Sequence, residues 1–113
     1  MPGKLTTHVL DLSSGLPAAG MKISLFRDNQ LIRSTVTGAN GRTDAPLLSD
    51  ERVLAGNYRL EFSVGEYFAS RQHPDARKFL DVVPIVFTID QPQADYHVPL
   101  LVSPWAYSTY RGS

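Results

Sequence analysis

The sequence predicts an all-β sandwich or barrel, and two features of the residue pattern carry that prediction. Short runs rich in Val, Ile, Phe, Tyr and Thr recur along the 113 residues, at 5–12, 21–26, 31–36, 58–64, 83–89, 96–103 and 105–110. Turn-forming segments rich in Gly, Pro, Asn and Asp separate them, at 13–20, 27–30, 37–42, 54–57 and 90–95. We expect seven or eight strands in two sheets, with the eighth strand somewhere in 43–55.

One segment departs from the strand pattern. Residues 66–72, EYFASRQ, contain no β-branched side chain, and Tyr67, Phe68 and Arg71 recur at helical spacing. This segment predicts one short helix.

Size, charge and cysteine content narrow the class of protein. We expect residues 1–113 to form one domain, because the chain is too short for two. The net charge is zero and the basic residues are scattered, which argues against nucleic acid as a partner. The chain has no Cys, so it has neither disulfides nor a thiol nucleophile. No apolar run approaches about 18 residues and no signal peptide is evident, so we expect a cytoplasmic protein without a membrane segment.

Alternation along two of the strands separates a core face from an outer face. In 5–12, Leu5, Thr7 and Val9 share one face, while Thr6, His8 and Leu10 share the other. In 96–103 the strongly apolar core face comprises Tyr96, Val98, Leu100 and Val102, and the opposite face comprises His97, Pro99 and Leu101. The outer faces therefore mix histidines with leucines. Exposed apolar patches usually mark contact surfaces, so we expect a second chain to cover this face.

Pro99 lies in the middle of a predicted strand, where proline is uncommon. Proline removes a donor from a ladder and is usually confined to edge strands or bulges. Either this strand lies near an edge of its sheet, or the ladder is locally broken at Pro99.

Three side chains are candidates for a hydrolytic site. His8 and His97 lie mid-strand on the outer faces, and a neutral imidazole can take a proton from water near neutral pH. Arg42, in the turn GANGRTD, could keep a nearby histidine neutral and bind an anion or carbonyl. A second interpretation is that both histidines are hydrogen-bonded interface residues and Arg42 is a solvated turn residue. His73 precedes Pro74 and is interpreted as a loop residue, and no third strong ligand accompanies Asp95 and His97, so we predict no metal site.

Three segments together resemble a known family. They are LTTHVLD (5–11) with SGLPA (14–18), GANGRTD (38–44), and YHVPLLVSPWAYSTYRGS (96–113). The chain resembles 5-hydroxyisourate hydrolase, the enzymatic branch of the transthyretin-like family, over essentially its whole length. The terminal Tyr-Arg-Gly-Ser is the most specific element, whereas the middle of the chain is also similar to non-catalytic prealbumin-like modules.

The resemblance implies a transthyretin-like sandwich of two four-stranded sheets with one short helix, assembled as a homotetramer, a dimer of dimers. It implies hydrolytic opening of the six-membered ring of 5-hydroxyisourate on the way to allantoin, without a cofactor. The active sites would lie in a channel between dimers, on the sheet face that carries His8, His97 and Tyr110. The implied catalytic residues are His8, Arg42, His97 and Ser113, and the implied substrate contacts are His8, Arg42, Tyr110, Arg111, Gly112 and Ser113.

Several questions stay open at this stage. Either His8 or His97 could be the base that activates water. The strand that ends in residues 110–113 is expected to run into the site, so that extending the chain would harm activity more than stability. The alternative function is a non-catalytic transthyretin-like protein that binds a planar ligand in the same channel.

Overall fold

A computed structural model describes residues 3–112. Within that range the chain forms nine strands, one α-helix and one turn of 3₁₀ helix at Asp50–Arg52. The strands are β1 (Lys4–Asp11), β2 (Leu16–Pro17), β3 (Lys22–Arg27), β4 (Gln30–Val36), β5 (Leu48–Ser49), β6 (Gly56–Ser63), β7 (Val82–Ile89), β8 (Tyr96–Val102) and β9 (Tyr107–Thr109), and the helix is α1 (Val64–Ser70). The helix is far too short to cross a membrane, and no helix among the described residues could do so.

The strands form two sheets, as predicted for a sandwich. One sheet has the order β4-β3-β6-β7 and is antiparallel throughout. The other has the order β2-β1-β8-β9, with β5 also paired to β1. Because β2 and β5 pair with opposite ends of the same edge of β1, this sheet counts five strands in four positions. The predicted strand in 43–55 is β5, whereas β2 lies inside a segment predicted to be a turn.

The pairing of β1 with β8 is parallel and joins the two ends of the chain. Their core faces are those that alternation predicts. Leu5 and Val9 on β1, and Leu100 and Val102 on β8, are fully buried. Fully burying a side chain of this kind contributes roughly 1.5–3 kcal/mol, so the packing of this face against the other sheet holds the two strands firmly in register.

The helix begins and ends two residues earlier than predicted. Val64 starts the helix rather than ending the preceding strand, and it is fully buried with Phe68 one turn later. The helix ends because Gln72 adopts a left-handed backbone conformation, with φ of 57°. Burial of one helical face, which sequence propensity does not report, therefore sets the start.

Pro99 breaks its ladder, which is the second of the two possibilities stated above. β8 lies between β1 and β9, so it is not an edge strand. Its pairing with β9 stops at Leu100 and Thr109, then resumes as a single bridge between His97 and Gly112. The carbonyl of Pro99 accepts a hydrogen bond from the Thr109 hydroxyl at 2.7 Å.

Candidate active site

His8 and His97 lie on the outer face of the β1–β8 pair. In this parallel ladder Thr6 is paired with His97, and His8 is paired with Pro99. His8 thus lies two residues along the strand from the rung that holds His97, roughly 7 Å at 3.3 Å per residue. Both histidines are half-buried.

The turn at residues 38–42 carries Arg42 to this face. The Asn40 side chain accepts a hydrogen bond from the Arg42 N–H at 3.0 Å, and Gly41 adopts a φ of 77°, which L side chains rarely adopt. The Gly41 carbonyl accepts a hydrogen bond from the Val9 N–H at 2.9 Å, which ties the turn to β1. The backbone of Arg42 then forms an isolated antiparallel β-bridge with that of His8. A side chain at Gly41 would collide with the Val9 carbonyl oxygen, so the turn can approach β1 only because this residue is glycine.

The hydrogen bond of His8 identifies which of its nitrogens carries the proton. Its Nε2 lies 3.0 Å from the carbonyl oxygen of Asn40. A carbonyl oxygen only accepts, so Nε2–H must be the donor. In neutral His8 the free lone pair is therefore on Nδ1, where it can accept a proton.

His97 is held on two sides. Its Nδ1 lies 2.8 Å from the Thr6 hydroxyl oxygen. Gly112 packs against the ring so closely that an added Cβ would stand 2.7 Å from the His97 Cδ2, and the Gly112 N–H donates to the His97 carbonyl at 2.7 Å. Burial lowers the pKa of His97, and the nearby Arg42 and His8 lower it further. The His97 imidazole is therefore biased toward its neutral form.

Two clefts meet at this cluster. One, of about 270 Å³, is lined by Lys4, Thr6, Arg42, Asp95 and His97. A smaller one, of about 150 Å³, lies beside it and is lined by Thr6, Thr7 and residues 42–46. Thr6 and Arg42 line both, so they stand at the junction. Among residues 3–112, no group of three or more His, Asp or Glu side chains is arranged to hold a metal ion.

The remaining predicted site residues are placed differently. Tyr110 and Arg111 line a separate, mostly apolar cleft of about 230 Å³ at the β7 and β9 edges of the sandwich. The Arg111 guanidinium lies 4.2 Å from the centre of the Tyr96 ring and donates to the Asp95 carbonyl at 3.1 Å. Ser113 lies outside the described residues. Within one chain the structure thus brings together His8, Arg42, His97 and Gly112.

Two residues at this site have no counterpart among the sequence predictions. Thr6 contacts His97, and the Asn40 carbonyl contacts His8. The signal for Thr6 was present in part, since alternation put it on the face of His8. Its contact with His97 depends on the parallel pairing of β1 with β8, across 91 residues of chain. No signal in the sequence identifies the carbonyl of Asn40.

Fold and site together define a transthyretin-like sandwich that carries two histidines and an arginine close together on the outer face of one sheet. The family model described as HIUase/Transthyretin family matches residues 5–112, and the chain belongs to this family. The chain is 50% identical to a protein of Ralstonia nicotianae named 5-hydroxyisourate hydrolase, and the match covers 98% of this chain and 99% of that protein.

Solved structures of this family have the same fold as this chain. The structure of Klebsiella pneumoniae 5-hydroxyisourate hydrolase matches with a TM-score of 0.84 and 37% identity, over 98% of this chain and 94% of that one. A crystal structure of (S)-allantoin synthase matches with a TM-score of 0.94 and 45% identity, over 99% of this chain but only 44% of that one. The chain therefore corresponds to somewhat less than half of the synthase.

Proposed function

We propose that this chain hydrolyses 5-hydroxyisourate, opening its six-membered ring in the degradation of urate. Family membership and full-length similarity to proteins named 5-hydroxyisourate hydrolase support the proposal. The single observation that carries it is the proximity of His8, Arg42 and His97 on the outer face of the β1–β8 pair, with the pKa of His97 lowered by burial and by the other two residues.

His8 is the proposed general base. Its Nε2–H is committed to the Asn40 carbonyl, which leaves Nδ1 as the proton acceptor. Water attacks a ring carbonyl carbon of the substrate while its proton passes to Nδ1. A positioned base of this kind contributes typically 10²–10⁴-fold to a rate.

Arg42 and His97 are the proposed stabilisers of the charge that develops. The carbonyl oxygen becomes an oxyanion as water adds, and preorganised donors lower the energy of that state. The carbon–nitrogen bond of the ring then breaks, the nitrogen receives the proton held by His8, and the carbon leaves as a carboxylic acid, which ionises by losing its proton to water. One water is consumed and no electrons are exchanged, so the step needs no cofactor.

The residues at the end of the chain stay proposals. Gly112, which packs against His97, is proposed to contact substrate there. Tyr110 and Arg111 are proposed to reach substrate from the sheet edge, and Ser113 to orient water or substrate.

We propose a homotetramer, built as a dimer of dimers. The edge strands β7 and β9 border one cleft of the sandwich, and exposed apolar side chains accompany them, among them Val82, Val86 and Tyr107. Leu10 and Leu101 pair on the same outer face as the two histidines. Light scattering after size-exclusion chromatography at micromolar concentration tests this, and a monomer would contradict it. Residues 1–113 as one domain and a cytoplasmic location likewise stay predictions.

The activity is tested by generating 5-hydroxyisourate in place with urate oxidase and following the decay of its ultraviolet absorbance. The expected result is decay well above the spontaneous rate, lost in His8→Gln and His97→Gln. His73→Gln is the matched control, because His73 lies beyond α1, against Phe68 and away from the clefts, and this variant should keep its turnover. Decay at the spontaneous rate with folded protein would overturn the proposal and favour a non-catalytic binding protein.

A further inference from the structure

The Thr6 hydroxyl has one hydrogen-bond partner among residues 3–112, and that partner is the Nδ1 of His97. The two residues are opposite each other in the parallel ladder of β1 and β8. Thr6 is half-buried and stands where the two clefts meet. The hydroxyl therefore contacts the Nδ1 side of the ring of a proposed active-site residue.

The hydroxyl proton favours one direction for this hydrogen bond. If Nδ1 carried a proton and donated to Thr6, the hydroxyl's own proton would need another acceptor. Among residues 3–112 no second acceptor lies within hydrogen-bond distance, so that proton would have to turn toward water in the clefts that Thr6 lines. If the hydroxyl donates instead, both groups are satisfied by one contact at 2.8 Å. The second arrangement puts the imidazole proton of neutral His97 on Nε2.

Packing makes this arrangement stiff. The β-branched side chain of Thr6 has few χ1 states open to it in a strand, so its hydroxyl is aimed in advance. Gly112 contacts the other part of the ring and leaves no space for it to turn that way. Among residues 3–112, the charged and titratable groups facing His97 are Arg42, His8, and the two that line the larger cleft with it, Lys4 and Asp95.

We propose that Thr6 is a positioning residue that donates to His97 Nδ1, fixes the Nε2–H tautomer, and so makes His97 a hydrogen-bond donor toward the cleft. His8 and His97 then play opposite parts, because His8 presents a lone pair and His97 presents a proton. The catalytic part of this inference rests on the proposed function, whereas the tautomer of His97 does not. Loss of the hydroxyl lets His97 exchange between tautomers, and only one of them can stabilise an oxyanion.

The first test reads the tautomer directly, by ¹⁵N NMR of protein labelled at histidine. Wild type is expected to show a protonated Nε2 and an unprotonated, hydrogen-bonded Nδ1 at His97. In Thr6→Val, which keeps the shape and the strand propensity, the His97 signals should average between the two tautomers. Thr6→Ser should restore the wild-type pattern. A wild-type spectrum with the proton on Nδ1, or a Thr6→Val spectrum identical to wild type, would overturn the inference.

Thr7→Val is the matched control. Thr7 is the next residue along β1, and its hydroxyl also bonds across to β8, at 2.7 Å from the Val98 carbonyl. It does so on the core face, where Thr7 is buried. This variant removes the same kind of hydrogen bond between the same strands, and it should leave the tautomer of His97 as it is in wild type. A change of tautomer in Thr7→Val would show that strand packing, rather than the Thr6 hydroxyl, controls His97.

The second test measures kinetics on the same proteins. Thr6→Val should lower kcat by about fivefold to tenfold, the range of one net hydrogen bond, with KM changed by less than about twofold. Thr6→Ser should recover most of the rate. A tautomer shift without a loss of kcat would overturn the positioning role. A wild-type protein that does not accelerate decay would overturn the proposed function, and the NMR result would still decide the direction of the hydrogen bond.

Discussion

Gly112 is the residue whose replacement most sharply tests how His97 is held. A methyl group at this position would stand 2.7 Å from the Cδ2 of His97 and 3.1–3.2 Å from its Cβ and Cγ. Carbon atoms in ordinary contact are 3.5–4.0 Å apart, so the methyl group is roughly 1 Å too close. Alanine itself is compatible with the backbone here, since Gly112 is not among the residues with positive φ. Either the imidazole or the backbone at residue 112 must therefore move, and both changes alter how His97 is held.

A displacement of this size has a calculable consequence for turnover. Misplacing a reacting group by about 1 Å can cost on the order of 100-fold in rate. That factor corresponds to about 2.7 kcal/mol of transition-state stabilisation, at 1.36 kcal/mol for each factor of ten. Stability should change far less, because Gly112 lies outside the core and forms one backbone bridge. We expect Gly112→Ala to lose about 100-fold in kcat/KM and less than about 1 kcal/mol in free energy of unfolding.

The assay is the decay of 5-hydroxyisourate absorbance, run beside urea unfolding. Gly38→Ala is the control, because a methyl group there would meet nothing closer than 3.7 Å. A double-mutant cycle then tests the route of the effect. If Gly112→Ala acts by displacing His97, it should cost almost nothing further in a His97→Ala background. An undiminished 100-fold loss in that background would refute the reasoning.

Two further predictions concern charge and the buried network. Arg42→Met should raise the pKa of His97, measured by an NMR pH titration, because one of the groups that lowers it is removed. In the wild type the pKa of His97 is lower in the folded state than in the unfolded state. The contribution of His97 to the free energy of unfolding is therefore full above about pH 6.5 and declines as the pH falls toward the folded pKa. Because Arg42→Met brings the two pKa values closer together, this variant should lose less stability on acidification. Tyr67→Phe should cost about 1–3 kcal/mol in urea unfolding at neutral pH, because it removes the 2.9 Å hydrogen bond to the buried Asp11 carboxylate. Burial raises the pKa of Asp11, but hydrogen bonds from Tyr67, Ser13 and the backbone outweigh burial, so the pKa is lowered overall. The stabilising effect of this network is therefore full above about pH 4 and should disappear as the pH falls further.

Local pattern predicted most of the strands and their faces. Alternation in β1 and β8 separated the buried Val9 and Leu100 from the half-buried His8 and His97, because side-chain direction in a strand depends only on the parity of the residue number. The seven predicted runs correspond to seven observed strands, although the last, predicted at 105–110, is paired only at Tyr107–Thr109. The two-residue strands β2 and β5 have no periodicity to detect.

Long-range pairing is the part that local pattern could not supply. A strand does not record which strand will lie beside it, or whether the two run parallel. The contact between Thr6 and His97 requires both facts, and so does the bridge between His97 and Gly112. The resemblance to a known family named His8, His97 and Arg42 as candidates, and the structure places the three near one another. It did not identify the Thr6 hydroxyl that contacts His97 or the Asn40 carbonyl that contacts His8.

The stiffness of the site comes from the opposite face of the same strands. The residues on either side of His8, Thr7 and Val9, are buried in the core, as are Tyr96 and Val98 on either side of His97. The backbone at both histidines therefore cannot shift without disturbing the packing between the sheets. The side chain of Arg42 lacks this support, because it is exposed, although the backbone of its turn is held to β1 through Gly41 and through the bridge to His8. We therefore expect the two histidines to keep their geometry whether or not substrate is bound, and Arg42 to make the larger adjustment on binding.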